Sequence, residues 1–351
     1  MEKAIFTGKW GRCHIQGIAA DVKRGYIYYS FTTKLVKATL EGEIVGFVDG
    51  LIGHLGCIAF NEKDGCVYGS LEYKNDRIGK GIMNALARSD DYSDGFYVAR
   101  FDVDRIDRPD MSAETGDIMT CVHLSEVLDD YSAVFIDKNG KEVSHRYGCS
   151  GIDGLTFAPL PASKSKDEKY LYVAYGVYGD EGRRDNDHQV LLCYDTSNWS
   201  EYFAPLCQAD MHRQGPSAPL HKYFVYTGNT RYGVQNLEYD ESENALFMAV
   251  YKGSKRAFPN YDLYICDLSA PAERRMLSGL DMEGETLALL PVGEYDEASG
   301  VYGFRFPYGA TGLNSIGGGE WLISHNRIED GEQCSTIRLY EWSRETGFLL
   351  K

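Results

Sequence analysis

The chain has 351 residues, 43% of them hydrophobic and 25% charged, the profile of a folded globular protein and not of a disordered one. Its 36 basic against 52 acidic residues give a formal charge of −16, so phosphate backbones repel it and nucleic acid is not expected as a partner. The start, MEKAIFTGKWGRCHIQ, lacks an apolar leader core and no run reaches membrane-spanning length. The chain as given therefore reads as cytoplasmic with no membrane partner, and a leader trimmed from it stays open.

In chain order, residues 4–7 read as a strand. A first unit then opens on Cys13-His14-Ile15-Gln16-Gly17-Ile18. A short strand over 17–21 meets the turn Lys23-Arg24-Gly25, and strands over 26–31, 35–40 and 44–48 follow with Glu41-Gly42 turning the chain between the last two. Alternating aromatic and branched residues separated by turn chemistry are the pattern of an antiparallel meander. The opening recurs as Gly53-His54-Leu55-Gly56-Cys57-Ile58 and as Ser150-Gly151-Ile152-Asp153-Gly154-Leu155. Two further copies are Tyr232-Gly233-Val234-Gln235-Asn236-Leu237 and Thr311-Gly312-Leu313-Asn314-Ser315-Ile316. Each is followed by the same sequence of strands. Later third strands end in Asp102, Asp195, Asp267 and Glu341, acids that suit turns because a short carboxylate bonds nearby backbone N–H groups. The nine cysteines form no CxxC pair, and most lie in apolar runs as buried free thiols.

Four-stranded units repeated around an axis make a β-propeller. The pattern resembles propeller blades generally, down to the Tyr-x-Tyr second strand and the Tyr-Asp that ends a third strand. The resemblance implies one all-β domain over residues 1–351, a five-bladed β-propeller with blades starting near residues 14, 54, 151, 233 and 312. Six blades are the alternative, with the extra one inside the long interval between residues 54 and 151. Residues 4–7 are expected to complete the blade that contains residues 337–350.

In such a fold the first strand of each blade runs beside the axis, and its entry loop opens on one face. That rings the channel mouth with Gln16, Gly56, Asp153, Gln235 and Asn314. Oxygen ligands in a ring can hold a hard cation, a design similar to that of calcium-dependent apyrases among five-bladed propeller enzymes. A divalent cation is thus a candidate cofactor, although one acid and one glycine compensate its charge poorly, and ordered water is the competing occupant. His14 and His54 stand two positions earlier, where the other copies carry Gly. They are candidate catalytic residues together with Tyr232, and candidate transition-metal ligands together with Asp153.

Loops between second and third strands bring Tyr73, Arg77, Tyr251, Arg256, His325 and Arg327 toward the same face as candidate ligand contacts. A cationic, Tyr-rich mouth fits a small anionic, sugar-like ligand such as an acidic saccharide. Residues 73–95 read as a short helix or lid. A single axial carboxylate argues against a two-carboxylate glycosidase unless Glu72 reaches inward. There is no GxSxG elbow and no phosphate-cradling loop. Lyase-type proton abstraction beside a carboxylate fits the residue types better. The alternative is a non-catalytic propeller scaffold that binds a glycan or a protein partner.

Overall fold

The structure is a computed structural model that describes residues 4–90, 92–115, 118–136 and 140–351. It is a five-bladed β-propeller. Blade one is the meander Ile15–Asp21, Tyr26–Phe31, Lys34–Thr39 and Ile44–Asp49, with Met111–Ser112 added in parallel on its outer edge. Blade two is His54–Asn61, Cys66–Tyr73, Gly95–Phe101 and Met119–His123. Blade three is Cys149–Ala158, Tyr170–Val177, His188–Tyr194 and His221–Tyr226, extended outward by Glu283–Thr286 and Glu273–Met276. Blade four has three regular strands, Thr230–Asp240, Ala245–Lys252 and Leu263–Asp267. Its outer edge is met by single bridges at Leu289 and Phe304. Blade five is Leu313–Gly317, Glu320–Glu329 and Glu332–Ser343, with Gly347–Leu350 on its outer edge.

The N-terminal strand Ala4–Lys9 pairs antiparallel with Glu332–Ser343, Ile5 opposite Ile337, and closes the ring with an outer strand taken from the other end of the chain. The interval between residues 54 and 151 holds two short helices, α1 (Arg77–Ala85) and α2 (Ser125–Ser132), and a hairpin of Val134–Ile136 with Glu142–Ser144. Among the described residues it builds no sixth four-stranded sheet.

Each blade is sandwiched between two neighbours, so its middle strands bury both faces and read as nearly continuous apolar runs. Every position of Cys66–Tyr73 and of His188–Tyr194 is buried. Outer strands lose this constraint, and Glu273–Met276 is exposed throughout. The apolar core accordingly divides into five clusters, one in each seam between adjacent blades. No helix among the described residues is long and apolar enough to cross a membrane.

Strand pairing corrects one alignment. Tyr28, Tyr68, Tyr172 and Phe247 sit opposite Ala19, Ala59, Thr156 and Glu238, and in blade five the matching Leu322 sits opposite Asn314. Asn314 therefore belongs three residues further down the inner strand than Gln16, Asp153 and Gln235. The true equivalent of Gln16 is Thr311, with Gly312 in the place of Gly17. The short Gly317–Glu320 hairpin turn brings the second strand back early, which is what displaces the register.

Candidate functional site

The inner strands converge on a cavity of about 330 Å³ at one end of the channel. Of the residues singled out from sequence, His14, Gln16, His54, Asp153, Tyr232, Gln235 and Tyr251 all line it. They come from blades one to four, so distant segments meet here. One wall is α1, which presents Ile78, Gly81, Ile82 and Ala85. That helix starts at Asp76, whose side chain caps the Ile78 and Gly79 N–H groups and accepts a 2.9 Å bond from the blade-three Tyr178 hydroxyl.

The floor is built on Glu72, Lys74, His54 and Asp153. The strand Cys66–Tyr73 runs on through Glu72 and Tyr73, which the sequence reading assigned to a loop. Period-two alternation sends Val67, Leu71 and Tyr73 into the seam with blade one, and turns Ser70 and Glu72 toward blade three. Glu72 is 2% exposed. Its Oε1 lies 2.5 Å from Lys74 Nζ and 3.3 Å from His54 Nδ1, and its Oε2 accepts the Ile152 N–H at 3.0 Å. Lys74 Nζ also donates to the Ser150 carbonyl at 2.6 Å. Asp153 Oδ1 lies 3.6 Å from the same His54 nitrogen, and Oδ2 accepts from Gln235 Nε2 at 2.9 Å.

Two glycines make this packing achievable. Gly151 occupies the repeat position of His14 and His54 with φ of +120°, and a Cβ there would collide with Glu72 Oε2. Gly56 faces Asp153 Oδ1, which a Cβ would approach to 2.8 Å. Thr32 and Tyr232, both lining the cavity, hold left-handed backbone with φ of 32° and 64°. Such strain in non-glycine residues gathers where a side chain must be aimed.

The electrostatics separate these groups. Burial alone would raise the Glu72 carboxyl, but Lys74 and His54 outweigh it and hold it below its ordinary value. Burial likewise opposes the charge of Lys74 and of His54, and the facing carboxylates hold both pKa values up. Asp153 moves the other way. Burial raises it to about 7, His54 opposing and the Glu72 charge adding to the rise. Burial, with the nearby His54 charge, lowers His14 to about 4, so its ring is neutral at physiological pH. Paired acids driven apart in this manner take different chemical roles. Glu72 has its oxygens engaged by an ammonium, an imidazole and an amide, and serves as a buried counter-charge. Asp153 is the carboxyl that titrates near neutrality while facing the cavity.

The remaining candidates lie elsewhere. Asn314 donates to Glu238 Oε1 at 2.7 Å, deeper in the channel. Tyr73 is core, its hydroxyl bonded to Gln208 Oε1 at 2.9 Å. Arg77 and Arg256 are exposed and outside the cavity lining. His325 stacks on Tyr308 at 3.8 Å and shares a 2.8 Å hydrogen bond with the Tyr340 hydroxyl, while Arg327 pairs with Glu329 at 2.7 Å. Thus the rim cations do not converge as the sequence reading had them. The lysine and arginine at the cavity are Lys74, which is neutralised by Glu72, and Arg12. Arg12 is exposed at the rim and makes no ion pair among the described residues.

The metal set His14, His54 and Asp153 is not assembled. His54 Nδ1 faces two carboxylates, Asp153 is bonded to Gln235, and no cluster of three or more His, Cys, Asp or Glu side chains suited to a metal occurs among the described residues. Glu72 and Lys74 left a signal in the sequence: Ser70-x-Glu72-x-Lys74 alternates polar residues along a strand that is otherwise apolar.

No protein-family model matches the chain, and no curated protein is similar to it. Among solved structures it is similar to a GH43 β-1,3-galactosidase in complex with galactodeoxynojirimycin, at 12% identity over 99% of this chain and 98% of that one, with a TM-score of 0.44. It is similar to a calcium-binding regucalcin from Agrobacterium tumefaciens at 11% identity, covering 98% and 96% of the two chains, TM-score 0.36. A gluconolactonase from Xanthomonas campestris matches at 9% identity over 94% and 88%, TM-score 0.32. At these identities the likeness extends to the propeller fold alone.

Proposed function

We propose that the axial cavity binds a small acidic saccharide and abstracts the proton beside its carboxylate, a lyase-type reaction. The observation that carries this reading is the convergence of Asp153, His14, Tyr232, Tyr251 and the free Arg12 on one cavity of about 330 Å³. That volume is at the small end of ligand pockets and fits a ligand of monosaccharide size. Arg12 anchors the ligand carboxylate through its planar fork. The ionised Asp153 takes the α-proton; its pKa of about 7 matches the operating pH, the condition under which a general base works best. The C–H electron pair moves into the carboxylate, and the neutral His14 ring stabilises the developing enediolate by donating a hydrogen bond. The pair then forms the C=C bond as the β-substituent leaves with the electrons of its C–O bond. Gln16, Gln235 and the tyrosine hydroxyls are left to bond the sugar hydroxyls.

The test needs no knowledge of the leaving group. In deuterium oxide the protein should exchange the proton beside the carboxylate of a hexuronate, seen as loss of that proton's NMR signal. Failure of glucuronate, galacturonate and their glycosides both to bind and to exchange would overturn the reading.

A further inference from the structure

The cavity has two unlike walls. Opposite the polar floor, α1 supplies Ile78, Ile82 and Ala85 at helical spacing, with Gly81 between them. The rest of the helix behaves as a surface helix should. Met83 packs into the seam between blades one and two, and Leu86, just past the C-terminus, packs beside it. The stripe formed by Ile78, Ile82 and Ala85 is different: none of the three belongs to any of the five core clusters. Ile82 is 8% exposed and Ile78 and Ala85 are half-buried, so protein covers part of this second apolar face and the rest of it borders the cavity.

Hydroxyls fit such a wall badly, because it offers no hydrogen-bond partner to replace the water they lose. We infer that the ligand carries an apolar substituent that packs against α1, making it an aryl or alkyl glycoside of the acidic sugar. This rests on the proposed acidic-saccharide reading and names the part of the substrate that reading leaves open. The polar floor and Arg12 read the sugar acid, and Ile78 and Ile82 read the aglycone. Gly81 sets the depth of the wall. A Cβ at Gly81 meets nothing within 4 Å, whereas one at the neighbouring Gly79 would run into the Lys74 carbonyl. Gly79 is thus required by packing, and the absence of a side chain at Gly81 leaves room for ligand.

The experiment compares the dissociation constants of a free hexuronate and its phenyl glycoside by calorimetry, for the wild type and for Gly81→Leu. Burying part of a phenyl ring against the helix should make the glycoside bind about tenfold more tightly to the wild type. In Gly81→Leu, whose Cβ meets no neighbour within 4 Å and whose side chain takes up space beside the wall, the ratio of the two constants should fall to about one. Ile82→Ser, which makes the wall polar, should lower the ratio as well. Equal binding of the two ligands to the wild type, or an undiminished phenyl preference in Gly81→Leu, overturns the inference while the acid reading stands. Absence of binding by both ligands overturns the acid reading and this inference together.

Discussion

The channel contains two levels of buried polar residues that look alike and behave differently. At the upper level Asp153 is raised to about 7 by burial, and three residues further down Glu238 is raised to about 8 by the same cause. Glu238 is fully engaged by protein. It accepts from Asn314 Nδ2 at 2.7 Å, from the Ser315 N–H at 3.0 Å and from Thr156 Oγ1 at 3.4 Å, so three blades are tied together through it. Between the levels Asn236 donates to the Gln16 and Ala310 carbonyls, crossing from blade four to blades one and five. Asp153 has one hydrogen-bond donor, Gln235, with His54 Nδ1 at 3.6 Å from its other oxygen, and it borders the cavity shared with His14 and two tyrosines. A perturbed carboxyl is thus not by itself a site. What distinguishes the upper level is titratable chemistry bordering a cavity, while the lower level is a polar clamp for the ring.

The comparison can be broken most severely at Asp153. Asp153→Asn should lower proton exchange on a bound hexuronate by about 10²-fold or more, with the fold kept, whereas Glu238→Gln should leave the exchange rate within about twofold. In the wild type the exchange rate should fall as pH drops below about 7, because the base is then protonated. A profile flat across that range would remove Asp153 from the role. Next in size is Lys74→Met. It removes the ammonium partner of the buried Glu72 carboxylate, leaving only His54 and the Ile152 N–H beside it, and should cost about 3–5 kcal/mol in urea unfolding. Loss of under about 1 kcal/mol would mean that water reaches Glu72.

The lower level has its own signature, smaller in size. The Glu238 carboxyl is raised from 4.5 to about 8, so the unfolded chain ionises first. The folding stability this group confers is complete below about pH 4.5 and is lost as pH rises toward 8. Melting temperatures at pH 5 and pH 9 should therefore differ less in Glu238→Gln than in the parent, and equal differences would place the titration elsewhere. The smallest effect belongs to Arg12, exposed and without an ion pair among the described residues. Arg12→Ala should weaken binding of the hexuronate about tenfold, roughly 1.4 kcal/mol, with the melting temperature unchanged.

Much of this was legible because repetition carries it. The five inner-strand openings, the second strands and the closure through residues 4–7 follow from local apolar alternation, which the blade sandwich then buries on both faces. The register of blade five escaped detection. Thr311-Gly312-Leu313 and Asn314-Ser315-Ile316 both fit the repeated pattern, and strand pairing alone separates them. The site was half legible. Asp153, Gln16, Gln235 and the two histidines stand on the repeat itself, so their convergence followed from symmetry. Glu72 and Lys74 lie on or just beyond a second strand, where the repeat gives no warning, and only alternation along Ser70-Leu71-Glu72-Tyr73-Lys74 points inward. Arg256, His325 and Arg327 hold matching positions in the repeat, yet His325 and Arg327 lie within the strand Glu320–Glu329 on partners of their own blade and Arg256 is exposed outside the cavity lining, so matching position did not produce a shared mouth.

The most direct test of the contrast is a crystal structure determined with a hexuronate at saturating concentration. The account predicts the ligand carboxylate on Arg12, the sugar over Asp153 and His14 beneath α1, and no displacement of the Glu238 to Asn314 contact below. A ligand bound away from the axis, or an unfilled cavity at a concentration where calorimetry reports saturation, would contradict it.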